Sequence, residues 1–419
     1  MDMGDINMKR IVKLNIVFIL LSMLLNIIGC GTEYIGGSRN EKWQKDLNYL
    51  KDSLPRKHVD LFFKVSEEEF NNEIDELKNN VDKMSDEEIV CGIYKITADI
   101  GDGHTKAYME YEERFPAQFY YFDDDMYLIN TTEDYSNALY CKLKKINGID
   151  INRVEELLRP LIAEENKWNV KKLLPSFLMR PDILRGAGII QDLNKSTFTF
   201  ESSDNEEFEI EINAVDPMNS NISWIVNDDS DESVPLYRKN SELSYWYEYI
   251  EDKKTLYFKY NSDGEMDDTI DEMLQLIDNN NIDKFVIDIR NNSGGSTRYL
   301  SRLIEEVQGR GINDSNRLFV VVGRQTFSAA VVSACVLREN TNATIIGEPT
   351  SMKPNHYGEV RHFNLPNSKI CIYYSTNHCT MFNDEDDTLI PDKEVSISID
   401  DYVNKKDPVM DYILNKDLG

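Results

Sequence analysis

The feature that most restricts this chain is a rhythm in its second half, where short, mostly apolar runs alternate with amphipathic segments about ten residues long. Thr255 to Lys259, Phe285 to Ile289, Leu318 to Val322 and Thr344 to Ile346 read as strands. Asp268 to Asp278, Arg298 to Val307 and Ala329 to Leu337 read as the helices between them. Strands this apolar are covered on both faces, and helical connections of this length return the chain in the same direction. The pattern therefore predicts an α/β core with a parallel sheet and right-handed crossovers.

In such a sheet, reacting groups gather beyond the C-terminal ends of the strands. Two strand exits here carry chemistry. The first is Asp288-Ile289-Arg290-Asn291-Asn292-Ser293-Gly294-Gly295, whose paired glycines let backbone N–H groups approach a developing oxyanion. The second is Val322-Gly323-Arg324-Gln325-Thr326-Phe327-Ser328-Ala329-Ala330, which sets a serine at the start of a small, apolar helix. Each exit also has a purely structural account: a turn that needs positive φ, and a serine that caps a helix.

The first half is different. From Glu41 to Ile100 the apolar spacing is helical, with Trp43, Leu47, Leu50 and Leu54 on one face and a stop expected at Pro55. Ser66 with Glu69 has capping-box spacing, and Ser85 opens a further helix that runs into Gly101-Asp102-Gly103-His104-Thr105. From about Phe115 to Ala214, short alternating runs such as Gln118 to Tyr121 and Phe198 to Glu201 predict strands. A strand ending in Ile146-Asn147-Gly148 leads into a polar helical region through Asn169, a pattern that resembles the core of a PDZ-like domain. The acidic stretch from Asn227 to Glu232 reads as a linker.

The extreme N-terminus reads as a processing signal. Lys9, Arg10 and Lys13 precede an apolar stretch from Ile16 to Leu25 that is too short for a stable spanning helix. Ile27-Ile28-Gly29-Cys30 then resembles a bacterial lipobox. That resemblance implies cleavage before Cys30, a diacylglycerol on its sulfur, and an extracytoplasmic, membrane-anchored protein. Thr32 to Asn40 reads as a tether. The expected organisation is a signal at 1–29, a tether at 30–40, a helical segment at 41–114, a PDZ-like α+β domain at 115–226 and an α/β core at 235–419.

Composition narrows the function. With 75 acidic against 46 basic residues the 419-residue chain carries a net charge of −29, which argues against a nucleic-acid partner. Beyond Cys30, five cysteines remain with no CxxC pair, so free thiols are expected, although Cys371 and Cys379 have the spacing to face each other across a hairpin. The five histidines show no metal-binding spacing, and neither metal nor cofactor is expected.

Taken together, the Asp102-Gly103-His104 loop, the Asp288 to Gly295 exit, Thr326-Phe327-Ser328-Ala329-Ala330, Gly347-Glu348-Pro349-Thr350 and Pro391-Asp392 resemble the tail-specific (C-terminal processing) and tricorn-like serine peptidases. The resemblance spans His104 to Asp392 in the family's order and implies a crotonase-like (ClpP-like) core, no cofactor, and a peptide or protein substrate. It implies Ser328 as nucleophile, and the N–H groups of Ala329 and of Gly294 or Gly295 as oxyanion hole. The family uses two kinds of base. One is a lysine about 25 residues beyond the serine, where Lys353 stands; the other is a histidine, where His104 stands with Gly103 in place of the family's serine. A late acidic residue lies within Asp384 to Asp387, with Glu385 at the best distance from Pro391 and Asp386 nearly as good. A serine endopeptidase is the first expectation; a non-catalytic peptide- or lipid-binding lipoprotein on the same fold is the second.

Overall fold

The computed structural model describes residues 37–418, apart from 112, 217–221, 229–230 and 383–385. Three helices open the described residues: α1 (Arg39–Lys57), α2 (Glu67–Asn80) and α3 (Asp86–Asp99). Each begins with a capping box, Ser38 with Glu41, Ser66 with Glu69 and Ser85 with Glu88, so the first orphan N–H groups of each helix are satisfied locally. The expected tether is therefore already helical at Arg39. Helix α1 also runs past Pro55 to Lys57, and the His58 N–H closes its last turn on the Leu54 carbonyl.

Strand β1 (Lys106–Tyr108) follows the Gly-Asp-Gly-His loop. A sheet then forms from β2 (Ala117–Phe122), β3 (Asp125–Thr131), β4 (Lys142–Ile146), β5 (Ile149–Asp150), β6 (Lys195–Glu201) and β7 (Glu207–Asn213). Its order is β2-β3-β4-β6-β7, with β5 paired to β4. Between β5 and β6 lie α4 (Ile151–Leu158), α5 (Lys167–Phe177) and α6 (Pro181–Gly186). The single helical region expected through Asn169 is thus two helices. Pro160 falls in a short 3-10 turn after α4, and Asn166 caps α5 by accepting the Asn169 N–H.

The second half is a six-stranded sheet with helices in the crossovers. Its elements are β8 (Tyr245–Ile250), β9 (Thr255–Tyr260), α7 (Asp267–Asn279), β10 (Lys284–Asp288), α8 (Arg298–Gln308), β11 (Leu318–Val322), α9 (Ala329–Asn340) and β12 (Thr344–Gly347). Two long strands, β13 (His356–Asn364) and β14 (Cys371–Cys379), form a hairpin before β15 (Lys393–Glu394), α10 (Ile399–Val403) and α11 (Pro408–Asn415). The sheet order is β15-β12-β11-β10-β9-β8, parallel from β15 to β9 with β8 antiparallel at the edge. Side chains alternate between its two faces, as the pleat requires. Phe258, Ile287 and Val320 pack with Met273, Leu303 and Val331 of the crossover helices, whereas Tyr257, Val286 and Phe319 pack with Val409, Met410 and Ile413 of α11. Coverage of both faces is what the apolar strands demanded.

The hairpin ties the halves together. Strand β14 pairs with β13 on one side and with β1 on the other, making a three-stranded sheet from distant parts of the chain. Phe363, Leu365, Ile370, Ile372 and Tyr374 of the hairpin join one continuous apolar core that runs from Trp43 through α1–α3 to Ile212. Cys371 and Cys379 stand at opposite ends of β14 rather than across the hairpin, and both are free thiols. Among the described residues no helix is long and apolar enough to cross a membrane. Cys30 lies outside the described residues.

Helix α6 meets α3 at Gly186, where a Cβ would stand 2.3 Å from the Glu87 carbonyl oxygen and 2.5 Å from Cys91 Sγ. Backbone on one side cannot give way, so Gly186→Ala forces the helices apart. A loss of about 1–3 kcal/mol in urea unfolding is expected.

Candidate active site

The site is assembled from two loops that are far apart in sequence. The first leaves α3 at Gly101 and is organised by Asp102. The Asp102 carboxylate accepts the His104 N–H at 2.9 Å, the Thr105 hydroxyl at 2.5 Å, the Ser375 hydroxyl at 2.7 Å and His58 Nε2–H at 3.1 Å. His58 Nδ1 accepts the Asp60 N–H, which leaves its proton on Nε2 to donate. Burial alone pushes the Asp102 pKa up, but these donors outweigh it and hold the carboxyl at about 2.

The second loop joins β11 to α9. Thr326 Oγ1 donates to the Ile289 carbonyl and accepts the Gly323 N–H, while the Phe327 N–H donates to the Asn292 carbonyl. The serine exit is thereby fastened to the glycine exit. Arg324 adds a bidentate pair with Glu348 and a bond to the Tyr121 carbonyl of β2. Ser328 sits at φ 52° and ψ −127°, a left-handed backbone that a non-glycine residue holds only under constraint. It occupies the N-cap position of α9, yet its side chain makes no capping bond.

Its hydroxyl faces His104 instead, with Ser328 Oγ and His104 Nε2 3.0 Å apart. As the acceptor of that hydroxyl proton Nε2 is bare, and Nδ1 carries the ring hydrogen. Nδ1 is buried, Asp102 Oδ1 lies 4.0 Å from it, and the Tyr357 backbone adds a weaker pull toward the charged ring. Burial is the largest influence on the ring and lowers its pKa to about 4, against the opposing pull of Asp102. A neutral imidazole against a serine hydroxyl is the arrangement that general-base activation requires.

Gly294 and Gly295 have φ of 102° and 135°. A Cβ on Gly294 would come within 2.6 Å of Ser328 Cβ and 3.1 Å of the Ala329 nitrogen, so the glycine backbone lies directly against the serine exit. The Gly294 N–H itself is engaged by Asn292 Oδ1 at 2.8 Å. The Ser328 N–H donates to Met352 Sδ at 3.2 Å.

Lys353 meets the 25-residue spacing, but its Nζ pairs with Asp387 Oδ1 at 3.1 Å and its side chain is 37% exposed, while the partner of the Ser328 hydroxyl is His104. Glu385 and Asp384 lie outside the described residues. Three neighbours of the site carry no sequence signal. Glu165 is buried and accepts the Gly103 N–H at 2.7 Å and the Lys353 N–H at 3.4 Å, and burial pushes its pKa up to about 7. Lys172 lies over the Phe327 ring, and Ser375 reaches Asp102 from β14. Only capping motifs and strand periodicity were available to find them, and neither applies. Among the described residues no group of three His, Cys, Asp or Glu side chains is placed to hold a metal ion.

A serine hydroxyl activated by a neutral histidine at the mouth of an α/β sheet defines a serine-type hydrolase. Residues 254–317, from the start of β9 to the threshold of β11, match the family described as Peptidase family S41. No curated protein sequence matches the chain. The structure of mature CPAF complexed with lactacystin shares the fold at 12% identity and a TM-score of 0.63, over 89% of this chain and 97% of that one. A further structure of mature CPAF does so at 13% identity and a TM-score of 0.63, over 89% and 96%. The mixed α/β fold resembles that of the S41 peptidases, and with the family match it supports a serine peptidase whose substrate is a peptide or protein.

The depressed histidine sets the pH profile. Only the neutral ring accepts the serine proton, so kcat/KM should fall as pH drops through about 4, not through the usual histidine range near 6.5. A rate profile from pH 3 to 8 reads this directly.

Proposed function

We propose that this chain is a membrane-tethered, extracytoplasmic serine endopeptidase that cleaves peptides or protein tails by acyl transfer through Ser328. The observation that carries the reading is the 3.0 Å contact between Ser328 Oγ and His104 Nε2, made by a serine that forgoes its helix cap. Ser328 Oγ attacks the scissile carbonyl carbon as its proton passes to Nε2. The tetrahedral oxyanion is received by the N–H groups of Gly295 and Ala329, since the Gly294 N–H is already engaged. The imidazolium then returns the proton to the leaving amine, and the acyl-enzyme forms. Water, deprotonated by the same ring, releases the acid and restores Ser328. The Asp102 carboxylate favours the charged ring while it exists, and the sequence resemblance gives Glu385 as a further acidic residue of the catalytic set.

The parallel order from β15 to β9, with the site at the strand exits, supports a crotonase-like core across 235–419. The β4 strand ending at Ile146, followed by a tight turn, the short β5 and α4, supports a PDZ-like domain across 115–226. Tethering rests on the signal-like N-terminus and Cys30 alone.

Two measurements test the reading. A fluorophosphonate probe should label Ser328, Ser328→Ala should abolish labelling, and His104→Ala should slow it by about 10²- to 10⁴-fold. Failure to label, or labelling elsewhere, favours the binding lipoprotein. Cys30→Ala should shift the protein out of the membrane fraction or leave it unprocessed, whereas a normally processed, membrane-bound variant contradicts the anchor.

A further inference from the structure

Beside Ser328 stands a cation that acyl transfer leaves unused. Lys172 projects from α5, and its Nζ lies 4.1 Å from the centroid of the Phe327 ring. Phe327 precedes the nucleophile in sequence, and its ring centroid is 4.9 Å from that of His104. On another side Lys172 Nζ reaches Ser351 Oγ at 3.5 Å, and the next residue, Met352, accepts the Ser328 N–H. The ammonium thus touches both walls that hold the nucleophile.

Its charge is poorly matched by the protein. Among the described residues no carboxylate pairs with it. The charges that act on it are Lys106, of the same sign, and Glu165, whose two oxygens already accept the Gly103 and Lys353 N–H groups. Burial without a close counter-ion pushes the Lys172 pKa down to about 7. In a chain of net charge −29, two lysines beside one cleft with no carboxylate paired to Lys172 stand out. An apolar recess of about 300 Å³ is lined by Lys106 and Arg180 with Gly103, Ala107, Leu173 and Phe177, and so borders the chain neighbours of His104 and Lys172. It has room for a substrate side chain.

We propose that Lys172, supported by Lys106, forms a carboxylate-reading subsite next to Ser328. The preferred substrate then presents an acidic side chain, or its own terminal carboxylate, at a residue flanking the scissile bond. This inference deepens the acyl-transfer reading of Ser328 and rests on it. The subsite is selective because a substrate carboxylate restores and pairs the charged form of Lys172, which a neutral isostere cannot do.

The test uses quenched-fluorescence peptides on one scaffold, with Glu or Gln at the residues flanking the cleavage point and each with a free or amidated C-terminus. The wild-type enzyme should cleave carboxylate-bearing peptides with kcat/KM about 10- to 100-fold above the neutral ones, the worth of a charge-assisted contact. A Glu-over-Gln preference that survives amidation assigns the side chain as the source; a free-over-amidated preference assigns the terminus. Lys172→Met should collapse the ratio to about one, Lys172→Glu should invert it, and Lys172→Arg should keep it. Fluorophosphonate labelling reports that each variant is folded, and the wild-type ratio does not depend on any variant. A wild-type enzyme that labels yet shows no carboxylate preference, or cleaves none of the set, overturns the subsite alone, as does an unchanged ratio in Lys172→Met. An enzyme that neither labels nor cleaves overturns the acyl-transfer reading and the subsite with it.

Discussion

The buried carboxylate of Asp102 is the interaction on which the site depends. Its donors come from the end of α1 through His58, from its own loop through His104 and Thr105, and from β14 through Ser375. A carboxylate that accepts several bonds out of water fixes the geometry of every donor, and loss of any one leaves a desolvated polar group behind. The loop that carries His104 is therefore held rigidly although it lies between a helix and a three-residue strand. The depressed Asp102 pKa also links the network to stability. Its contribution is complete above the ordinary carboxyl range near 4 and is lost as pH falls toward 2.

The opposite loop is held by a different device. Asp288 at the end of β10 is fully buried with Lys259, Arg290 and the Tyr257 hydroxyl, and Arg290 extends the network to Asp407 at the cap of α11. These groups anchor the start of the glycine exit to the sheet below. The hydroxyl and amide of Thr326 and Phe327 then lash the serine exit to that anchored segment. The positive φ of Ser328 is sustained by those bonds, and its cost goes into aiming Oγ at His104 in place of a helix cap. Two independently fixed loops meeting at 3.0 Å leave little reorganisation for a proton transfer to wait on.

Much of this was legible in the sequence, and the exceptions have physical reasons. The core strands were readable because complete burial on both faces leaves an apolar run, and the first helices because capping boxes mark their starts. Ser328 was marked by its place at a strand exit, where a cap was an equal account, and the family resemblance of both loops is what singled out Ser328 and His104 together. Glu165, Lys172 and Ser375 were silent: they belong to other elements, and only tertiary packing brings them to the site. Lys353 stayed open as the alternative base for a complementary reason. Spacing along the chain is not direction, and the segment after β12 turns that side chain toward Asp387. The hairpin was likewise unreadable as a bridge, because strand partners such as β1 and β14 are chosen by packing across some 270 residues of chain.

The central claim is that Ser328 and His104 work as one unit, and turnover of the two single variants and the double variant measures it most directly. If they do, Ser328→Ala and His104→Ala each lose several orders of magnitude in kcat, and the double variant loses little more than either. Additive losses, or a His104→Ala enzyme that keeps its activity, would contradict the account.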